Sequence, residues 1–301
     1  MKIRHYGFTI AVVITCLTSL HGFGQSEKIP LRRLPQPNQT IRMKMVQEMD
    51  MAITIEGLPA ATGAAAPISV STKTVTTMTQ KTGALDSQGQ MESEITVDEA
   101  TSETKASIPG QTPPASVTNP MVGKKFTVVL DQQGNIVDSK FPDVPGLPAD
   151  LFNQLMKNLY GNLPTTPIGI GETATAPLDY TIPLPLPGAA PLKMNGEVKY
   201  KLLSIDKQGG DRIATIDSTI DGKLVSDLEV QSPAGNIKMN IDFKIDGGGT
   251  AVSNLDKGFM KSSESNSNLG GAIHMSGGGN LPQLPNMNLR GTIKMTIASE
   301  N

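Results

Sequence analysis

Four methionines stand at odd positions in IRMKMVQEMDMAITI (41–55), and Met43, Met45, Met49 and Met51 are the residues whose type and spacing most suggest chemistry. Thioether sulfurs are soft ligands suited to Cu(I), and paired Met-x-Met steps can present them. Side chains two residues apart on a strand stand ~7 Å apart, so two sulfurs would reach one ion only by leaning together. Methionine is also adaptable packing material. Three roles follow, in descending order of expectation: plain core, an apolar wall facing a ligand, and a metal site.

Other candidate chemistry is sparse. The chain has three histidines and one cysteine, and His5, His21 and Cys16 all fall near the N-terminus. His274, between Ile273 and Met275, has no cysteine partner and reads as a surface or satisfied residue. Asp217, Asp221 and Asp227 cluster in sequence and would be needed for a two-carboxylate hydrolase, yet they fall on polar positions where solvation is the ordinary role. The runs Gly247-Gly-Gly249 and Gly277-Gly-Gly279 lack the Lys-Ser/Thr of a phosphate loop and read as turns or bulges. Neither a cofactor nor a conventional metal site is expected.

The elements that carry these residues read as strands. Around the methionines the odd positions 41–55 are apolar except Gln47, while Arg42, Lys44, Glu48, Asp50 and Thr54 fill even ones; that is period two, a half-buried strand. The same alternation returns at Ile237, Met239, Ile241, Phe243 and Ile245, and at Ile293, Met295 and Ile297. Weaker versions occupy 71–81, 90–98, 125–130, 135–140, 197–205 and 212–220. Gly134-Asn135, Gly209-Gly210 and Asp221-Gly222 are expected as turns between them. One segment differs: between Pro148 and Gly161, Leu151, Phe152, Leu155, Met156, Leu159 and Tyr160 recur at helical spacing.

The N-terminus reads as a secretory signal over 1–24. Lys2 and Arg4 precede an uncharged apolar run from Phe8 to Leu20, and Gly22-Phe23-Gly24 follows. The run is shorter than the roughly 20 residues a membrane helix needs. Lipid attachment at Cys16 is the lesser alternative, because Thr15 is a poor fit before a lipidated cysteine. Cleavage after Gly24 would remove the only cysteine, leaving no disulfide, thiolate nucleophile or Cys/His zinc site. Residues 25–39 hold three prolines without periodicity and read as an extended leader. Net charge is −2 with both signs scattered and tryptophan is absent, so there is no footprint for nucleic acid. Membrane contact is expected only if Cys16 is lipidated.

Three stretches, GKKFTVVLDQQGNIVDSK (123–140), NLPTTPIGIGET (162–173) and GGGTAVSNLDKGFMKSSESNS (247–267), resemble a family of uncharacterised secreted bacterial proteins. In that family a "P-x-x-P-[IV]-x-x-G-[DE]" segment opens the second half, matched here by Pro164, Pro167, Ile168, Gly171 and Glu172. The family's following tryptophan is replaced by Thr173-Ala174. The resemblance implies an extracytoplasmic β-rich domain and no activity. Its layout is similar to that of bacterial lipoprotein carriers, an analogy at the level of fold.

The resulting expectation is a mainly β protein. A long curved antiparallel sheet, open or half barrel, carries one short amphipathic helix on its apolar face. It forms a single domain over 40–301, divisible into related halves at 40–161 and 162–301. Its expected role is non-catalytic, periplasmic or secreted, binding a hydrophobic small molecule on a surface that includes Met43, Met45, Met49, Met51, Met239 and Phe243. The alternatives are an envelope structural or interaction protein with a filled core, contacting another envelope protein, and, last, a carboxylate hydrolase.

Overall fold

In a computed structural model the protein is described over residues 27–31, 34–56, 67–107, 121–142, 163–182, 191–232, 235–277 and 286–300. The signal-like segment 1–24 and the helix-patterned segment 148–161 lie outside the described residues. Among the described residues, every regular element is a strand: β1 (Thr40–Ile55), β2 (Ile68–Leu85), β3 (Met91–Ala106), β4 (Lys125–Leu130), β5 (Ile136–Lys140), β6 (Thr173–Ile182), β7 (Leu192–Gln208), β8 (Asp211–Ser232), β9 (Gly235–Asn254), β10 (Phe259–Gly277) and β11 (Met287–Glu300).

All eleven form one antiparallel sheet in the order β5-β4-β3-β2-β1-β11-β10-β9-β8-β7-β6. The first and last long strands, β1 and β11, pair at its centre, from Arg42 with Glu300 to Ile55 with Met287. β5 and β6 form the two edges and do not pair with each other, so the sheet stays open. Strands this long are possible because period-two alternation is sustained along them; β8, at 22 residues, extends roughly 70 Å.

At one end, here called the base, tight hairpins join the strands. Two of them are built alike. The Asp86 carboxylate accepts the backbone N–H groups of Gln88 and Gln90, and the Asp131 carboxylate those of Gln133 and Asn135. Gly89 and Gly134 complete these turns with φ of 73° and 78°. Gly209-Gly210 joins β7 to β8, as the sequence suggests.

Two expected turns are instead strand interior. Asp221-Gly222 lies within β8, and Gly247-Gly-Gly249 within β9. Close backbone approach, not chain reversal, explains the glycines. Gly222 pairs with Gly196 of β7, whose φ is +156°, and a Cβ on Gly196 would stand 2.2 Å from the Asp221 carbonyl oxygen. A Cβ on Gly247 would stand 2.3 Å from the Asn266 carbonyl oxygen. Missing side chains let neighbouring backbones approach this closely.

The core is concentrated at the base and divided between the two arms of the curled sheet. On the β7–β8 arm, Ile168, Leu202, Ala214 and Leu255 pack together. On the β3–β4 arm, Met91, Val128 and Leu130 form one cluster, and Ile95, Val97 and Phe126 another, with Phe126 stacked on Phe141 at 5.4 Å.

Residues 27–31 and 34–39, within the 25–39 stretch that reads as a leader, lie between these arms as a strap. Ile29, 1% exposed, joins the first cluster and exchanges backbone hydrogen bonds with Ile168. Leu34 packs on the Met91 cluster. The Gln36 N–H donates to the Lys257 carbonyl, the Thr82 hydroxyl to the Gln36 carbonyl, and the Asn38 N–H to the Gly83 carbonyl.

Candidate functional site

The register of the ladder assigns each inward side chain to a row across the sheet, because directly paired residues share a face. The row through Met51 runs Gly196, Gly222, Ile245, Leu269, Gly291, Met51, Val70, Ala106. One row further from the base come Met194, Leu224, Phe243, Gly271, Leu289, Ile53 and Ile68. Beyond that, Ser226, Ile241, Ile273, Met287 and Ile55 align. The far half of this face is therefore apolar across at least five strands.

All six candidate residues, Met43, Met45, Met49, Met51, Met239 and Phe243, lie on this one face. Met43 borders a cavity of about 400 Å³ at the base, lined from both arms and from the strap by residues that include Ile41, Ile95, Val128, Ile216, Ala251 and Leu31. Strands that do not pair can share a cavity only where the sheet curls toward this face, so the apolar face is the concave one. The other five candidates lie further along it and are half-buried, as are Ile241, Ile245, Leu289 and Ile293 on β9 and β11. A filled core would bury such residues. Here they line an open trough.

Nearer the base the same wall changes chemistry. The row through Met49 carries Thr72, Thr104 and Ser267, and the row through Gln47 carries Thr74, Ser102, Ser265 and Ser218. The Thr72 and Thr104 hydroxyls stand 3.3 Å apart, as do those of Thr74 and Ser102, and Ser218 donates to the Gly249 carbonyl. Tyr200 lies in this zone, and burial pushes its phenol above the usual range, keeping it neutral. Sequence reading missed this hydroxyl belt, since Thr and Ser alternating with charged residues look like two polar faces until the register shows which one turns inward.

Charge is confined to the convex face and the base. Asp217 accepts from the Thr250 hydroxyl, Asp227 from the Asn240 amide, and Asp221 lies 3.8 Å from the Lys244 ammonium. The three aspartates thus meet separate partners rather than one another, and His274 is exposed on the same convex face. Ser102 and Lys105 have the spacing of a serine-lysine pair, but strand alternation puts them on opposite faces. Among the described residues no three His, Cys, Asp or Glu side chains gather as a metal site.

At the base, charges fasten the strap. Arg212 donates to Glu27 and, through its backbone N–H and Nε, to both oxygens of Asp256. The Lys28 ammonium lies 2.9 Å from Glu172, whose carboxyl is held below its usual range, first by the Gly169 N–H and then by Lys28. Asp211 is lowered by the Asn254 amide and the Lys257 ammonium.

The chain matches no family model and no curated protein. Among solved structures it aligns with an outer membrane channel from Pseudomonas putida F1, at 7% identity and a TM-score of 0.26, over 90% of this chain and 98% of that one. It also aligns with the outer membrane protease OmpT from Escherichia coli, at 7% identity and a TM-score of 0.22, over 92% and 99%. Scores this low carry no argument about activity. No described helix is long and apolar enough to cross a membrane, which says nothing of strands.

Proposed function

We propose that this is a non-catalytic extracytoplasmic protein that holds a hydrophobic molecule in its concave trough. The observation that carries the reading is the half-burial of Met49, Met51, Ile53, Ile241, Phe243, Leu289 and Ile293 on a single inward face, opposite a charged convex face. Exposed apolar surface of this extent is unfavourable in water, and covering it returns about 25 cal/mol per Å². An apolar chain lying along the trough would recover that free energy at about 0.8 kcal/mol per buried methylene. The signal-like segment 1–24 supports placement outside the cytoplasm.

An envelope structural protein with a filled core is the competing reading, and the half-buried wall disfavours it. The two separate on purification under native conditions followed by organic extraction and mass spectrometry. The trough reading expects co-purifying lipid-like material, or a hydrophobic fluorophore that brightens on addition to the purified protein. A protein that carries no such molecule and leaves the fluorophore dark would overturn it.

A further inference from the structure

We infer that the trough selects uncharged amphiphiles, with a hydroxyl-bearing head placed toward the base and an apolar tail toward the far end. This rests on the trough reading and specifies its ligand class. Polarity along the wall is graded in one direction. In the two rows through Gln47 and Met49 the inward side chains include Ser102, Thr74, Thr72, Thr104, Ser265 and Ser267. In the next three rows the hydroxyls are Tyr180, opposite Met194 on the edge strand β6, and Ser226, which already donates to the Pro191 carbonyl at 3.1 Å. Successive inward residues rise ~7 Å along a strand, so head and tail zones are separated on the scale of a lipid.

The head zone has hydrogen-bonding capacity to spare. Each hydroxyl offers one donor and two acceptor positions, so a pair such as Thr72 and Thr104, which uses one donor and one acceptor, keeps the remainder for a ligand. No Asp, Glu, Lys, Arg or His occurs in any of these rows, and the nearby Tyr200 is held neutral. A charged head would leave water without a counter-charge, which is costly, whereas glycerol-type or alcohol heads exchange water for hydroxyl partners at little loss.

The test compares probes of one chain length by displacement of bound diphenylhexatriene, a fluorophore with no head. We expect 1-monopalmitoylglycerol to bind at least tenfold more tightly than palmitate or hexadecyltrimethylammonium. The variant Thr72→Val with Thr74→Val keeps shape and strand preference; it should weaken monopalmitoylglycerol at least fivefold and leave diphenylhexatriene unchanged. If diphenylhexatriene binds but the three heads compete equally, or a charged head wins, the head selectivity is wrong and the trough reading stands. Equal weakening of both probes in the variant would also overturn the belt's role. If nothing binds, diphenylhexatriene included, the trough reading itself falls.

Discussion

Ile29 and Ile168 exchange two backbone hydrogen bonds, each N–H donating to the other's carbonyl at 2.9 Å, and this isolated bridge ties the N-terminal segment to one arm of the open sheet. A few residues later Leu34 is packed into the opposite arm. An open sheet with two free edges has no ladder to hold its arms together, so the strap supplies at the base part of what barrel closure would.

The strap should therefore matter to stability out of proportion to its length. Ile29→Ala removes a fully buried side chain and is expected to cost about 2–5 kcal/mol, with Leu34→Ala acting in the same direction on the other arm. A shift of the urea midpoint measures both. Wild-type midpoints in both variants would mean that the strap is not part of the core.

Gly196 should tolerate no side chain. A Cβ there would stand 2.2 Å from the Asp221 carbonyl oxygen and 2.6 Å from the Gly222 Cα, both backbone atoms that cannot swing away. Gly196→Val is expected to destabilise by about 1–3 kcal/mol or more, as overpacking does, seen as a lower thermal midpoint. Gly270→Ala, with nothing within 4 Å of the added Cβ, is the matched control and should melt close to wild type.

Acid should loosen the strap. The Glu172 carboxyl is lowered from 4.5 by the Gly169 N–H and Lys28. A depressed carboxylate contributes stability that is complete above the unfolded value and is lost as pH falls through the folded one. Hydrogen exchange at Ile29 and Ile168 should therefore accelerate, relative to the chemical rate, as pH drops below about 4.5. Glu172→Gln should remove most of that pH dependence.

The trough wall should be permissive for folding and restrictive for binding. Met51→Glu places a charge on a half-buried position of the wall and should cost little stability, about 1 kcal/mol. It should nonetheless abolish the brightening of a hydrophobic fluorophore. The convex-face change Lys44→Glu, on the same strand but with its side chain on the opposite face, should leave the fluorophore signal intact. A reversed pattern would place binding on the other face.

Much of this fold is legible in the sequence because one face is apolar and the other charged. In β1, β9 and β11 the alternation of Met or Ile with Lys, Asp or Glu is strong enough to identify strands and their inward residues. The glycine turns at 221–222 and 247–249 misread because a glycine needed for close approach between strands looks, in sequence, like one needed for a reversal. Ile29, Leu31 and Leu34 are scattered among prolines, so nothing periodic marks them as core. The belt of Thr72, Thr74 and Ser102 is invisible for a different reason. Its orientation depends on which strands pair, and pairing between distant strands is not a local property of sequence.

Methionine oxidation reads the central claim without any substitution. Met49, Met51, Met239, Met287 and Met295 are half-buried on the trough wall, whereas Met91 is fully buried in the base core. Peroxide footprinting with peptide mass spectrometry, with and without 1-monopalmitoylglycerol or diphenylhexatriene, should show the wall methionines reacting readily in the free protein. Bound ligand should slow them several-fold, with Met91 slow in both states. Wall methionines that react at the same rate whether or not either probe is present would contradict an occupied trough.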